Sequence, residues 1–336
     1  MHPNQNYNVS KEFLSGISDE KSFLKRNKIK GLRKIKFLQK FKRSMNMANA
    51  KLEETLAKKE CYIGPFKGEF GHILGHTTPF LMYLHKQGVK IHFCGMKIHE
   101  PYFKDEEGNS ILTEFHELRD FFGEVSPSSN STKVPVDVQK EIDIFSGKAQ
   151  KSGLPFWNLD DDYYYWFIHR KFVEKHNHIY DLSKFYATTR NENNCVIFPR
   201  AKGAKSSKNN GESWDYQELL ERISPHFDRV FICGHPSQSL ALKPTKNTEL
   251  VVTADNQKIL EACSNANLII TQHSGANYIG LYTNCEVLTI YKGGSKIEDI
   301  GSMQNTIRFR TSLKENHPLK FAFSEDEIIT FIENRK

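Results

Sequence analysis

Residues 266–294 read ANLIITQHSGANYIGLYTNCEVLTIYKGG. The run Leu268-Ile269-Ile270-Thr271 has the composition of a buried strand and stops at Gln272-His273-Ser274-Gly275-Ala276-Asn277, a set of small and polar residues that marks a turn. Ala276, Ile279, Gly280 and Leu281 then suggest a short helix, and Val287-Leu288-Thr289-Ile290-Tyr291 a second strand. Strand, turn, helix, strand is a βαβ unit. Its first turn lies at the carboxyl edge of a parallel sheet, where α/β folds take their ligands. A helix that starts there offers unpaired backbone N–H groups and the positive end of its dipole, which suits a phosphate.

Working outward, residues 195–336 repeat this alternation. Strand CVIFPR (195–200) is followed by a basic loop, AKGAKSSKNNGES, and by a helix over WDYQELLERISPHF with Ser213 as the expected N-cap. Strand RVFICG, ending at Gly234, strand TELVVT, helix DNQKILEACSNA and strand NLIIT come next. Ser324 and Glu327 have capping-box spacing before a terminal apolar helix.

The N-terminal half begins another such unit: strand CYIGPF, a glycine-rich turn GEFGHILG, a helix over TPFLMYLHKQ and strand VKIHFCG at 89–95. ILTEFHELRDFFGEV and VDVQKEIDIFSGKA have helical spacing. Two Rossmann-like α/β domains with parallel sheets are therefore expected, residues 59–185 and 186–336. A basic helical extension, residues 1–58, precedes them.

Composition narrows the class. The chain has 336 residues, 38% hydrophobic, and a mean hydropathy of −0.57. No apolar run approaches the roughly 18 residues of a membrane span. Six scattered cysteines without metal-ligand spacing, and no apolar leader at the N-terminus, point to a reduced, cytoplasmic chain. The net charge of +7 comes from one place: KRNKIKGLRKIKFLQKFKR, residues 25–43, holds ten Lys or Arg and no acid, and without those ten the remainder sums to −3. On a helix, Leu32, Ile35, Leu38, Phe41 and Met45 share a broad side, with Lys25, Arg26, Arg33, Lys36, Lys40 and Arg43 opposite. Such a helix lies on an anionic membrane surface, peripherally on its inner face, or docks on the protein body with a solvated basic face. Nothing in it resembles a base-reading motif, and no nucleic-acid partner is expected.

The C-terminal third resembles the nucleotide-sugar domain of GT-B fold glycosyltransferases, above all the bacterial heptosyltransferase type. The resemblance rests on His273-Ser274-Gly275 against that family's Asp-Thr/Ser-Gly, on the helix from Ala276 to Tyr282, and on the strand from Val287 to Gly293. His273 replaces the family's acid, and the family's helix histidine is missing. GPFKGEFG similarly resembles the first strand and turn of the acceptor domain in polysaccharide-building transferases.

The resemblance implies a nucleotide-sugar donor, a glycan or glycolipid acceptor, no other cofactor, and an inverting, metal-independent transfer. The leaving phosphate would be met by Arg200, Lys202 and the turn: Gly234, Gln272, His273, Ser274, Gly275, Ala276 and Asn277 form the expected donor set. The acceptor hydroxyl needs a base. Glu69, on the first turn of the N-terminal domain, is the best-placed acid, with His72 and His76 beside it. Each has a plainer reading. Gly275 allows a tight turn, Glu69 caps a helix, and His76 is a core or cap histidine. Asp160-Asp161-Asp162 cannot converge on one metal ion from a regular element, and a helix N-terminal turn is expected there. A pyruvyl- or phosphoryl-type transferase, or a non-catalytic binding module, are the alternative functions.

Overall fold

The computed structural model describes residues 30–68, 70–124, 134–161, 180–187, 191, 193–200, 214–272, 274–291 and 320–335. Contacts divide the chain into two compact units near residue 180.

In the first unit, helix α1 (Gly31–Lys58) precedes strand β1 (Glu60–Phe66). Its buried residues, Phe41, Ser44, Met45, Ala48 and Thr55, recur three, four and seven apart, one stripe of a 3.6-residue helix. The helix ends at Lys59, whose left-handed backbone (φ 55°) turns its N–H onto the Thr55 carbonyl. After β1 the chain is helical from Phe70 and passes through a π-helical turn, Ile73–Thr77, into α2 (Thr78–Lys86). The glycine-rich turn expected over 68–75 is thus mostly helix. Strand β2 (Lys90–Met96), β3 (Glu114–Leu118), helix α3 (Val136–Lys151) and β4 (Phe156–Asn158) complete the unit.

Strand β3 overturns the helix expected over 111–125. Ile111, Leu112, Phe115, Leu118, Phe121 and Phe122 are spaced three or four apart and imitate a helical stripe. Parallel pairing with β2, from His92 against Glu114 to Met96 against Leu118, prevails over that local pattern.

The second unit contains helix α4 (Ser183–Tyr186), β5 (Asn194–Phe198), α5 (Tyr216–Ile223), β6 (Arg229–Gly234), β7 (Thr248–Val252), α6 (Asn256–Ser264), β8 (Leu268–Gln272), a 3-10 turn (Gly275–Tyr278) leading into α7 (Ile279–Thr283), β9 (Glu286–Ile290), β10 (Lys320–Ala322) and α8 (Glu325–Glu333). Strands β5 and β8 are buried on both faces, as continuous apolar runs in a parallel sheet require. Their core includes Ile197, Leu219, Ile232, Ile270, Leu288 and Ile328. The cap of α5 is Asp215, accepting from the Gln217 and Glu218 amides, rather than Ser213, which lies outside the described residues. At α8 the Ser324 hydroxyl accepts from Glu327 N as its spacing predicts, while the Glu327 carboxylate accepts from Phe323 N.

Both sheets are parallel, in the orders β3-β2-β1-β4 and β10-β9-β8-β5-β6-β7. Each starts with a central strand, grows to one side, then returns to grow on the other. The order therefore reverses between β1 and β4 in the first unit and between β5 and β8 in the second. Reversal points, outside the carboxyl ends of the strands, are where open α/β sheets bind ligands.

Candidate functional site

The reversal point of the second sheet collects most of the expected donor set. Phe198 pairs with Thr271, so Arg200 leaves β5 beside the turn that leaves β8. Arg200 is half-buried and its backbone bridges to Ser239. Gln272, the last residue of β8, is buried. Lys202 and His273 lie outside the described residues. Gly234 ends the neighbouring strand β6 with φ +156°, and a Cβ there would overlap Ser239. Packing against Ser239 thus accounts for that glycine.

The turn itself is closed by its own hydrogen bonds. Ser274 N donates to Asn277 Oδ1 (2.8 Å), and Ala276 N donates to Ser274 Oγ (3.2 Å). Asn277 Nδ2 in turn donates to Thr289 Oγ1 on β9 (2.7 Å). Asn277 is fully buried. Two expectations change as a result. Of the amides at Ser274, Gly275 and Ala276 in the expected donor set, the first and last are bonded within the turn, leaving Gly275 N. The Asn277 side chain is a brace inside the protein rather than a ligand to ribose or phosphate. Gly275 opens a 3-10 helix and is absent from the left-handed region, so no positive φ calls for a glycine there.

The first sheet places a charged pair at its own reversal point. Lys67, one residue beyond β1, donates through Nζ to Asp160 Oδ2 at 2.7 Å, two residues beyond β4. The lysine side chain is 11% exposed and the aspartate 50%. Asp160 is further fixed by its backbone N–H, which donates to Asn158 Oδ1 (3.1 Å), while Asn158 Nδ2 reaches Asp161 Oδ1 (3.3 Å). Asp160 and Asp161 therefore form a side-chain-braced turn, and the helix expected to follow lies outside the described residues. The pair was not foreseen, because the three-residue strand FWN is too short to show alternation. The only signal was that Lys67 and Asp160 are the first charged residues past two strand ends.

Of the expected acceptor-side bases, Glu69 lies outside the described residues. His72 and His76 sit one turn apart around the π-helical segment with ring centroids 5.3 Å apart, and His76 is buried. π-Turns are common at functional sites. Nearby, His99 in the 3-10 turn after β2 is enclosed by the rings of Phe66, Phe70 and Phe122. Neither of its ring nitrogens has a partner among the described residues. Burial pushes its pKa down to about 3, the Asp120 charge opposing only in part, so the ring is neutral. Cys61 and Cys94, also in this unit, are buried and held as thiols.

Comparison with solved structures decides the fold. Escherichia coli heptosyltransferase WaaC with ADP-2-deoxy-2-fluoro heptose superposes with a TM-score of 0.50 at 8% identity, covering 82% of this chain and 100% of that one. The same enzyme with ADP gives 0.50 at 9% identity and the same coverage. The chain has a heptosyltransferase-like fold. No protein-family model matches it, and no curated protein matches it in sequence. Among the described residues no helix is long and apolar enough to cross a membrane, and no group of three or more His, Cys, Asp or Glu could hold a metal ion.

Proposed function

We propose that the protein is a glycosyltransferase whose donor is a nucleotide sugar seated at the β5–β8 reversal point, and whose acceptor is a cell-surface glycan or glycolipid precursor. One observation carries this reading: in a heptosyltransferase-like fold, Arg200 and the Ser274–Asn277 turn emerge side by side from the two strands where the sheet order reverses. The WaaC structures hold ADP and an ADP-sugar, which supports a nucleoside diphosphate as the leaving group.

The transfer is inverting and independent of a metal. An acceptor oxygen attacks the anomeric carbon as its proton passes to a base, Glu69 in the first instance and His72 or His76 otherwise. The bond from that carbon to the phosphate oxygen breaks, and its electron pair leaves with the nucleoside diphosphate. Arg200, Lys202 and the Gly275 amide meet the developing charge.

The test is a screen of isotope-labelled nucleotide sugars with the wild-type chain and with Glu69→Gln and Gly275→Val. Turnover of a sugar nucleotide is expected. Glu69→Gln should lower kcat by about 10²–10⁴ with donor affinity nearly unchanged. Gly275→Val should weaken nucleotide binding by calorimetry while far-UV circular dichroism stays native. If no sugar nucleotide turns over, the reading fails, and binding without turnover assigns a non-catalytic module instead. Should Glu69→Gln cost less than about tenfold, the proton goes to one of the two histidines.

A further inference from the structure

The basic helix is unexplained by fold or transfer chemistry. Its two halves differ. From Phe41 to Lys58 it is anchored: Phe41, Met45, Ala48 and Thr55 are buried, Lys51 Nζ donates to the Phe156 carbonyl (2.5 Å), and Trp157 Nε1 donates to Thr55 Oγ1 (3.0 Å). From Gly31 to Lys40 no residue is buried. Lys30, Arg33, Lys34, Lys36, Lys40, Lys42 and Arg43 are all exposed, and from Lys30 to Leu52 there is no acid.

Two features argue against a merely solvated end. First, the cations crowd the wrong terminus. The amino end of a helix carries the positive end of the dipole and favours acids, yet the first turn has none, and Lys30 at the N-cap supplies no side-chain hydrogen bond. Folding alone does not favour this arrangement. Second, Leu32 is 78% exposed and Ile35 52%, the two most exposed large apolar side chains of the helix. At about 100° per residue they point away from the stripe of Phe41, Ala48 and Thr55, to the side that carries Lys36 and Arg43. The apolar side read from the sequence is therefore split: Phe41 and Met45 face the protein, and Leu32 and Ile35 face outward among cations.

We propose that residues 30–43 form a docking surface for an anionic lipid bilayer. Leu32 and Ile35 enter the headgroup boundary, and the surrounding lysines and arginines lie against lipid phosphates. The complementarity is one of charge and of depth. A row of cations with no acid is drawn to an anionic surface, and two exposed aliphatic side chains one turn apart are what an interfacial helix inserts. A polyanion such as RNA would satisfy the cations but would leave Leu32 and Ile35 in water, so the bilayer is the occupant that uses both.

The experiment is co-sedimentation of the full chain with phosphatidylcholine vesicles, with and without phosphatidylglycerol, across a range of salt. Two variants are compared with the wild type: Arg33→Glu/Lys36→Glu/Arg43→Glu and Leu32→Ser/Ile35→Ser. All these positions are exposed, and circular dichroism checks that the helix persists. Wild type should bind the anionic vesicles, and less as salt rises. The charge variant should lose at least about tenfold in affinity. The apolar variant should lose several-fold with the salt slope preserved. Turnover on a soluble acceptor should be the same in all three, which keeps this result separate from that of the proposed activity. Equal binding to neutral vesicles overturns the proposal, as does indifference of lipid binding to either variant. So does tight retention of RNA by wild type and apolar variant alike with lipid binding absent.

Discussion

Both sheets reverse their strand order beside the first strand laid down, yet the turns at the two reversal points are held by different bonds. Beside β8 the links are neutral and closed. Ser274, Asn277 and Thr289 share hydrogen bonds around a fully buried amide side chain, so the backbone there has one shape. Beside β1 and β4 the link is an ion pair with its aspartate half in water. The same topology therefore supports a rigid seat in one unit and a charged, openable contact in the other.

The largest effect should come from the rigid turn. Asn277→Ala strands the half-buried Ser274 N–H and removes the donor to the buried Thr289 hydroxyl. A loss of roughly 2–4 kcal/mol is expected from these two groups, read as a lowered denaturant midpoint. A loss below about 1 kcal/mol would mean the turn is not braced as described, and the contrast with the first sheet would collapse.

Next comes the first sheet's response to acid. His99 is held neutral by burial, with a folded pKa of about 3 against roughly 6.5 in the unfolded chain. The folded pKa is depressed below the unfolded one, so the unfolded chain takes up the proton first. The contribution is fully present above about pH 6.5 and is lost as pH falls from there toward 3, at about 1.4 kcal/mol per pH unit. His99→Leu, near in volume, should flatten stability over that window while leaving the neutral-pH value equal or higher. An unchanged acid limb would show that His99 has a partner in solution.

The smallest stability effect belongs to the ion pair. Asp160→Asn and Lys67→Met should each cost less than about 1 kcal/mol, because the aspartate is half-exposed and screened. A loss near that of Asn277→Ala would make the first reversal point as rigid as the second.

Much of this architecture was legible in the chain. Strands β5, β6, β8 and β9 read directly because doubly covered parallel strands are unbroken apolar runs between turn residues. β3 was misread because Ile111, Phe115 and Leu118 happen to keep helical spacing, and only its neighbour β2 makes it a strand. βαβ logic set the turn after β8 at the carboxyl edge of a parallel sheet, and the pairing of Phe198 with Thr271 brings the end of β5 beside it. The brace from Asn277 to Thr289 and the Lys67–Asp160 pair were not, since each joins residues that local pattern cannot connect, the latter 93 positions apart. The basic helix shows a different limit. The apolar side read from the sequence spans half of the helical wheel, with Leu32 and Phe41 about 180° apart, and packing buries one while the other is 78% exposed.

The π-helical turn at Ile73–Thr77 has a consequence for how this chain tolerates editing. A π-turn is an α-helix carrying one surplus residue, so the stretch between Phe70 and Lys86 holds a natural place for a deletion. Removing Leu74 should let the helix close into regular α-form while Pro79 and the buried Phe80 and Leu81 keep their seats. What would change is local: His72 and His76 would go from four residues apart to three, altering the facing of two rings now 5.3 Å apart. The surplus residue thus sets the facing of that histidine pair, at a position where sequence length rather than residue type is the variable.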